Sequence, residues 1–256
     1  LDAAEDVRED PTRAALLLRM GAEARDRPSW TRLANTTLHE TLSQGVLSGL
    51  DGPVDALQFS PDGDRLLTLS GGVPAVWSVA KDTEPMARAG GIAGSGVVAA
   101  AFQPDGGAVL LVTRTGAILE WDPAAGEPRR TWSPEATSTT AAAVAISGTG
   151  SHVLVANEAG WNIVDHTGAT IAQGKVPDED GVPPGAPTAA AIDEDGTRWA
   201  IAGRDGRIHL WNSELPDPAR IRHPGVTGIE INAEGSHLLS LGDGRLRLTD
   251  LTHMRG

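Results

Sequence analysis

Glycine-rich loops are the first residues in this chain that could do chemistry, because backbone amides without side chains in the way can cradle a phosphate. Gly94-Ser95-Gly96-Val97-Val98-Ala99 has the loose spacing of a dinucleotide loop. That chemistry needs a helix after the loop, so that the pyrophosphate meets a helix N-terminus, and here a strand pattern follows. Gly168–Lys175 resembles a P-loop only superficially, with five residues between its glycines instead of four and Val176 where Ser or Thr should hold magnesium. His39-Glu40 has no second His at zinc-ligand spacing, and no G-x-S-x-G nucleophile turn is present.

Two acidic clusters remain, Asp178-Glu179-Asp180 and Asp193-Glu194-Asp195. The first lies in a Pro/Gly-rich connector, 176–187, where an oxygen-rich loop could hold calcium, but a solvated acidic loop suits the chain's overall charge better. The second falls in a tight turn that recurs along the chain. His152, His209 and His237 sit in separate strand patterns without ligand spacing, and read as structural. No catalytic residue, metal ligand or cofactor site is assigned.

Composition narrows the function classes further. The net charge is −13 and the chain has two lysines, Lys81 and Lys175. A phosphate-binding surface needs clustered cations to displace counterions, so nucleic acid is not an expected partner. The absence of Cys removes thiol and disulfide chemistry and leaves the redox setting open. No apolar run approaches the ~20 residues needed to cross a bilayer, so no membrane insertion is expected and the expected location is the cytoplasm. The first residue is Leu1, which reads as a piece of a longer protein or a processed product.

The elements around these residues repeat. Gly52–Val79 reads as strand, turn, strand, turn, strand, with Ser60-Pro61-Asp62-Gly63 reversing the chain and Gly71-Gly72 reversing it again. Laying the turn glycines in register gives Gly63, Gly106, Gly150, Gly196 and Gly235, separated by 43, 44, 46 and 39 residues. A second register agrees: Gly72, Gly116, Gly160, Gly206 and Gly244, each followed five residues later by Trp77, Trp121, Asp165, Trp211 and Thr249. A β-sandwich also has short strands and glycine turns, but not two registers at one period of ~40–45 residues.

Through Phe59-Ser60-Pro61-Asp62-Gly63, Phe102-Gln103-Pro104-Asp105-Gly106, Trp121-Asp122, Arg204–Asn212 and Asp243-Gly244 the chain resembles the WD40 repeat family over roughly residues 44–251. The family's Gly-His pair before the first strand is missing, and only Asp205 and Asp243 keep its turn Asp. A His–Asp network in each blade is therefore not expected, and apolar packing must hold the blades.

The resemblance implies an all-β fold, a WD40-type β-propeller of five four-stranded blades. Outer strands are expected at 84–90, 127–133, 169–174 and 219–223. The fifth unit ends at Leu251 without one, and the strand Gln44–Leu50 is expected to fill that place and close the ring. A larger ring completed by other residues or partners is the alternative. Ala-rich strands at Ala99–Ala101, Ala141–Ala143 and Ala189–Ala191 should pack tightly along the channel.

Residues 1–43 differ from the rest. Asp10-Pro11 and Ser29 are helix starts followed by apolar faces, including Trp30, which predicts a short α-helical hairpin ahead of a propeller over 44–256. The run Asp10–Leu18 leading into Leu47–Val54 is similar to the junction before the C-terminal WD40 sensor of bacterial STAND-type signalling ATPases. That resemblance implies effector and nucleotide-binding domains upstream.

In a WD40 ring the loops before the first strand and between the second and third strands share one face, which usually binds partners. Here that face carries Asp51, Arg114, Glu158, Trp161, Arg204, Asp205, Arg222, His223 and Asp243. Trp161 is out of register with the blade-closing Trp, so it reads either as an exposed hot spot with Arg neighbours or as cover for its own blade. The expected function is a non-catalytic interaction or sensor domain of a larger bacterial signalling or defence protein, binding a protein or peptide. A metal-dependent propeller hydrolase and a purely structural oligomerisation domain are the alternatives.

Overall fold

A computed structural model describes residues 47, 50, 52–79, 85–89, 96–126, 128–132, 141–177, 185–215 and 217–253. The chain divides into two compact units, Leu1–Gly49 and Leu50–Gly256, and every described strand belongs to the second. The expected helical hairpin, the acidic cluster Asp178–Asp180 and Asp51 lie outside the described residues. Of the expected closing strand, only Leu47 and Leu50 are described, and neither lies in a strand.

The described residues contain strands and no helix. The first sheet holds β1 (Val54–Phe59), β2 (Arg65–Ser70), β3 (Val73–Ser78) and β4 (Ala87–Arg88). The second holds β5 (Val97–Phe102), β6 (Val109–Thr113), β7 (Ile118–Trp121) and β8 (Pro128–Trp132). The third holds β9 (Ala143–Ile146), β10 (His152–Asn157), β11 (Gly160–Asp165) and β12 (Thr170–Gly174). The fourth holds β13 (Pro187–Ile192), β14 (Arg198–Gly203), β15 (Arg207–Asn212) and β16 (Ala219–Arg222). The fifth holds β17 (Val226–Ile231), β18 (His237–Gly242) and β19 (Arg245–Asp250). Each sheet is an antiparallel meander in chain order, an architecture compatible with a propeller-like repeat.

The repeat is visible at the level of single hydrogen bonds. The residue after each first strand closes the same five-residue turn, its N–H donating to the carbonyl five residues on: Ser60 to Arg65 (2.9 Å), Gln103 to Ala108 (2.9 Å), Ser147 to His152 (2.9 Å), Asp193 to Arg198 (2.9 Å) and Asn232 to His237 (3.1 Å). In four of the turns the side chain of that same residue accepts the returning N–H, at Ser60, Ser147, Asp193 and Asn232. Four first strands also share a register shift, at Val54/Ala56, Val97/Ala99, Pro187/Ala189 and Val226/Gly228.

Successive side chains alternate sides, so a strand can present apolar residues to the sheets on both sides of it, and the sheets stack in chain order. Leu67, Leu69 and Val76 of the first sheet pack on Phe102, Val109, Leu111 and Trp121 of the second. Leu110, Val112 and Ile118 on the second sheet's other face meet Val153, Val155 and Val164 of the third. Leu154, Trp161 and Ile163 then meet Ile192, Trp199 and Trp211 of the fourth, and Ala200, Ile208 and Leu210 meet Val226, Ile231 and Leu238 of the fifth.

Polar latches reinforce these junctions. The second residue after the turn glycine reaches the turn of the next sheet: Arg65 Nη2 donates to the Gly106 carbonyl (2.5 Å), His152 Nδ1 bonds the Glu194 carbonyl (3.0 Å) and Arg198 Nη1 bonds the Gly235 carbonyl.

The turn glycines are set by this stacking. Gly150 has φ +73°, and a Cβ there would overlap the Phe102 carbonyl of the preceding sheet. Gly63, with φ +76°, has nothing within 4 Å of that position. The end sheets are correspondingly bare: Leu57 and Phe59 of β1 are 67% and 59% exposed, and Leu246 and Leu248 of β19 are both 67% exposed.

Ala101, Ala143 and Ala191 of the Ala-rich first strands are buried, and Ala190 and Ala191 also line a cavity of about 440 Å³ with Ala145, Ile229 and Glu230. Apolar packing is not the only cross-link within a sheet, since Trp77 Nε1 donates to Thr68 Oγ1 (2.9 Å).

Candidate interaction surface

The candidate site residues lie at strand ends, and the structure gathers some of them at one corner between the fourth and fifth sheets. The turn Arg204-Asp205-Gly206 joins β14 to β15, and Arg222-His223-Pro224 leads from β16 into β17. These segments touch: His223 N donates to the Gly206 carbonyl (2.9 Å), and a Cβ on Gly206 would lie 3.0 Å from Pro224 Cα. Asp243, at φ 47°, forms the β18–β19 turn with Gly244 and lies against Gly225. Arg114 and Glu158 are exposed on the β6–β7 and β10–β11 turns of other sheets.

His223 is 3% exposed, bonded through Nδ1 to Ser240 Oγ (2.8 Å) and through Nε2 to the Gly242 carbonyl (3.2 Å). It fixes the loop onto β18 and presents no free edge to a ligand. Asp205 meets Arg207 Nη1 at 2.9 Å. Burial alone would raise its pKa, but the backbone and guanidinium N–H groups of Arg207 and the Gly185 N–H outweigh it and hold the carboxyl below its ordinary value.

Trp161 is not an exposed anchor. It is 6% exposed and packs against Trp199 (ring centroids 5.1 Å) and Trp211 (5.5 Å). Room for its indole comes from its cross-strand partner Gly174, where a Cβ would come within 2.8 Å of the ring. A residue one strand away, not a sequence neighbour, therefore decides its burial.

Sequence reasoning also passed over Arg245 and Arg247. Both are exposed, and with His223, Pro224, Gly242, Asp243 and Leu246 they line a cavity of about 440 Å³. Arg247 Nη1 donates to the Arg222 carbonyl (2.5 Å), which ties the edge of the fifth sheet to the fourth. The signal was present as the alternation Arg245-Leu246-Arg247-Leu248 directly after a turn. In a chain of net charge −13, Arg222, Arg245 and Arg247 outnumber the one carboxylate of this cavity, Asp243, and make the corner locally cationic.

Among the described residues no group of three or more His, Asp or Glu side chains is placed to hold a metal ion. Glu194 bonds the Thr149 N–H (3.1 Å) of the third sheet, and Asp193 bonds Thr197 Oγ1 (2.9 Å) and the Arg198 N–H (3.0 Å). That acidic cluster is thus engaged in turn and junction bonds. No protein-family model matches the sequence, and comparison with curated proteins gives no match.

Proposed function

We propose that the chain is a non-catalytic interaction module, the sensing or scaffolding part of a larger signalling protein. Its five sheets are the blades of a WD40-type propeller, and its ligand is a protein or peptide segment carrying carboxylates. The observation that carries this reading is the 440 Å³ cavity lined by Arg245 and Arg247 beside Asp243, with Arg222 adjoining it through the carbonyl that accepts from Arg247, in an otherwise acidic chain. Opposite charge on a partner steers encounter and fixes register, and a cavity of this size accepts side chains. The exposed apolar end faces, Leu57 and Phe59 on the first sheet and Leu246 and Leu248 on the fifth, support closure of the ring between those sheets.

Peptide-library selection on the intact chain tests the reading, with a parallel selection on the Arg222→Glu/Arg245→Glu variant. The expected result is an acidic consensus that is lost on the variant. Absence of enrichment, or the same consensus on both proteins, refutes it.

A further inference from the structure

β19 is the outer strand of the fifth sheet among the described residues, whereas the other four sheets each carry a fourth strand. Its six residues pair with β18 without a register shift, so the strand has no bulge to twist its edge away, and it has no Pro. The direction of its backbone groups follows from the ladder. Leu251 N donates to the Ser236 carbonyl (2.8 Å), and antiparallel strands alternate hydrogen-bonded and non-bonded pairs. Thr249, Arg247 and Arg245, paired with Leu238, Ser240 and Gly242, therefore turn their N–H and C=O groups toward β18. Leu246 and Leu248 turn theirs to the opposite edge, which is unpaired among the described residues.

Side chains alternate on the same strand. Arg245 and Arg247 lie on one face, and Leu246 and Leu248 on the other beside Leu239 and Leu241. An occupant of this edge must satisfy a cationic row and an apolar row together. A second copy of β19 paired antiparallel about Arg247 would set arginine against arginine, and like charges opposite one another destabilise a strand pair; paired about Leu248 it would set Arg247 against Thr249 and offer the arginines no carboxylate. Gln44–Leu50 contains no carboxylate to match the arginines.

We propose that β19 receives an extended segment of a partner protein as an added strand. Carboxylate side chains of that segment lie opposite Arg245 and Arg247, and apolar side chains lie beside Leu246 and Leu248. This inference rests on the reading of the chain as an interaction module and names the partner's chemistry.

The probe is a capped hexapeptide alternating Glu and Val, compared with its Lys and Val counterpart, with amide hydrogen exchange read residue by residue on the intact chain. The Glu peptide is expected to slow exchange at Leu246 and Leu248 at least tenfold, and the Lys peptide to leave it unchanged. The Arg245→Glu/Arg247→Glu variant is expected to exchange the two preferences, a gain that unfolding cannot produce.

Unchanged exchange at Leu246 and Leu248, or failure of the variant to switch, overturns strand addition. Protection of these amides in the free protein also overturns it. Where protection persists on dilution the chain's own residues hold the edge, and where it fades with dilution a second copy does. Glu-peptide binding that protects the 204–206 and 222–225 loops but not β19 rejects the added strand and leaves the interaction module standing. Failure of the library selection rejects the module itself.

Discussion

Replacing Trp161 separates a core role from a surface role. The indole is 6% exposed, and its ring lies 5.1 Å from Trp199 and 5.5 Å from Trp211. Truncating a buried Trp to Ala costs about 3–5 kcal/mol. Trp161 Nε1 is buried without a hydrogen-bond partner, so its removal returns part of that loss, about 1 kcal/mol or more. The net destabilisation expected for Trp161→Ala is about 2–4 kcal/mol, or roughly 5–15 °C in Tm for a unit of this size. Trp161→Phe keeps a ring in the pocket and deletes the unpaired N–H, so it should lie within about 1 kcal/mol of wild type. Urea and thermal unfolding followed by circular dichroism measure both. A Trp161→Ala protein as stable as wild type, or Phe as harmful as Ala, would refute the assignment of Trp161 to the core.

Other perturbations probe the junctions and turns. Gly150→Ala should be clearly more destabilising than Gly63→Ala, because both positions have left-handed φ but only the former abuts a carbonyl of the preceding sheet; equal effects in urea unfolding would contradict the stacking. Arg198→Ala removes the bond to the Gly235 carbonyl and should cost about 1–2 kcal/mol in the same assay, whereas no change would remove it as a latch.

Asp165 offers a test by pH. Burial would raise its pKa, but bonds from the Thr167 hydroxyl and the Ala169 and Thr167 N–H groups lower it below the ordinary carboxylate value. A depressed folded-state pKa contributes stability above the unfolded value, near 4, and loses it as pH falls through the folded value. The stability gap between wild type and Asp165→Asn should therefore be constant above about pH 5 and shrink toward pH 2, a trend that a gap independent of pH would exclude.

The sequence showed the sheets more fully than the surface. Turn glycines and the tryptophans spaced five residues after them are local signals, and the two registers they define correspond to five sheets with matching turn hydrogen bonds at Ser60, Gln103, Ser147, Asp193 and Asn232. Fourth strands implied by the WD40 resemblance appear at Ala87–Arg88, Pro128–Trp132, Thr170–Gly174 and Ala219–Arg222.

The site was less legible because burial depends on partners distant in sequence. Trp161 is covered because Gly174, Trp199 and Trp211 surround it, and His223 is withdrawn by Ser240 and Gly242. Exposure of β1 was likewise invisible, since an apolar strand reads the same whether or not another sheet covers it. The exposure of Arg245 and Arg247 depends on β19 being the outer strand of its sheet among the described residues, beside Arg222.

The most direct measurement of the central claim is the affinity of the library-selected peptide, by fluorescence polarisation, for the wild-type chain and for the Arg222→Glu/Arg245→Glu variant at equal salt. A loss of tenfold or more on the variant, with unfolding midpoints unchanged, is expected if the corner between the fourth and fifth sheets is the binding surface. Equal affinity for the two folded proteins would contradict it.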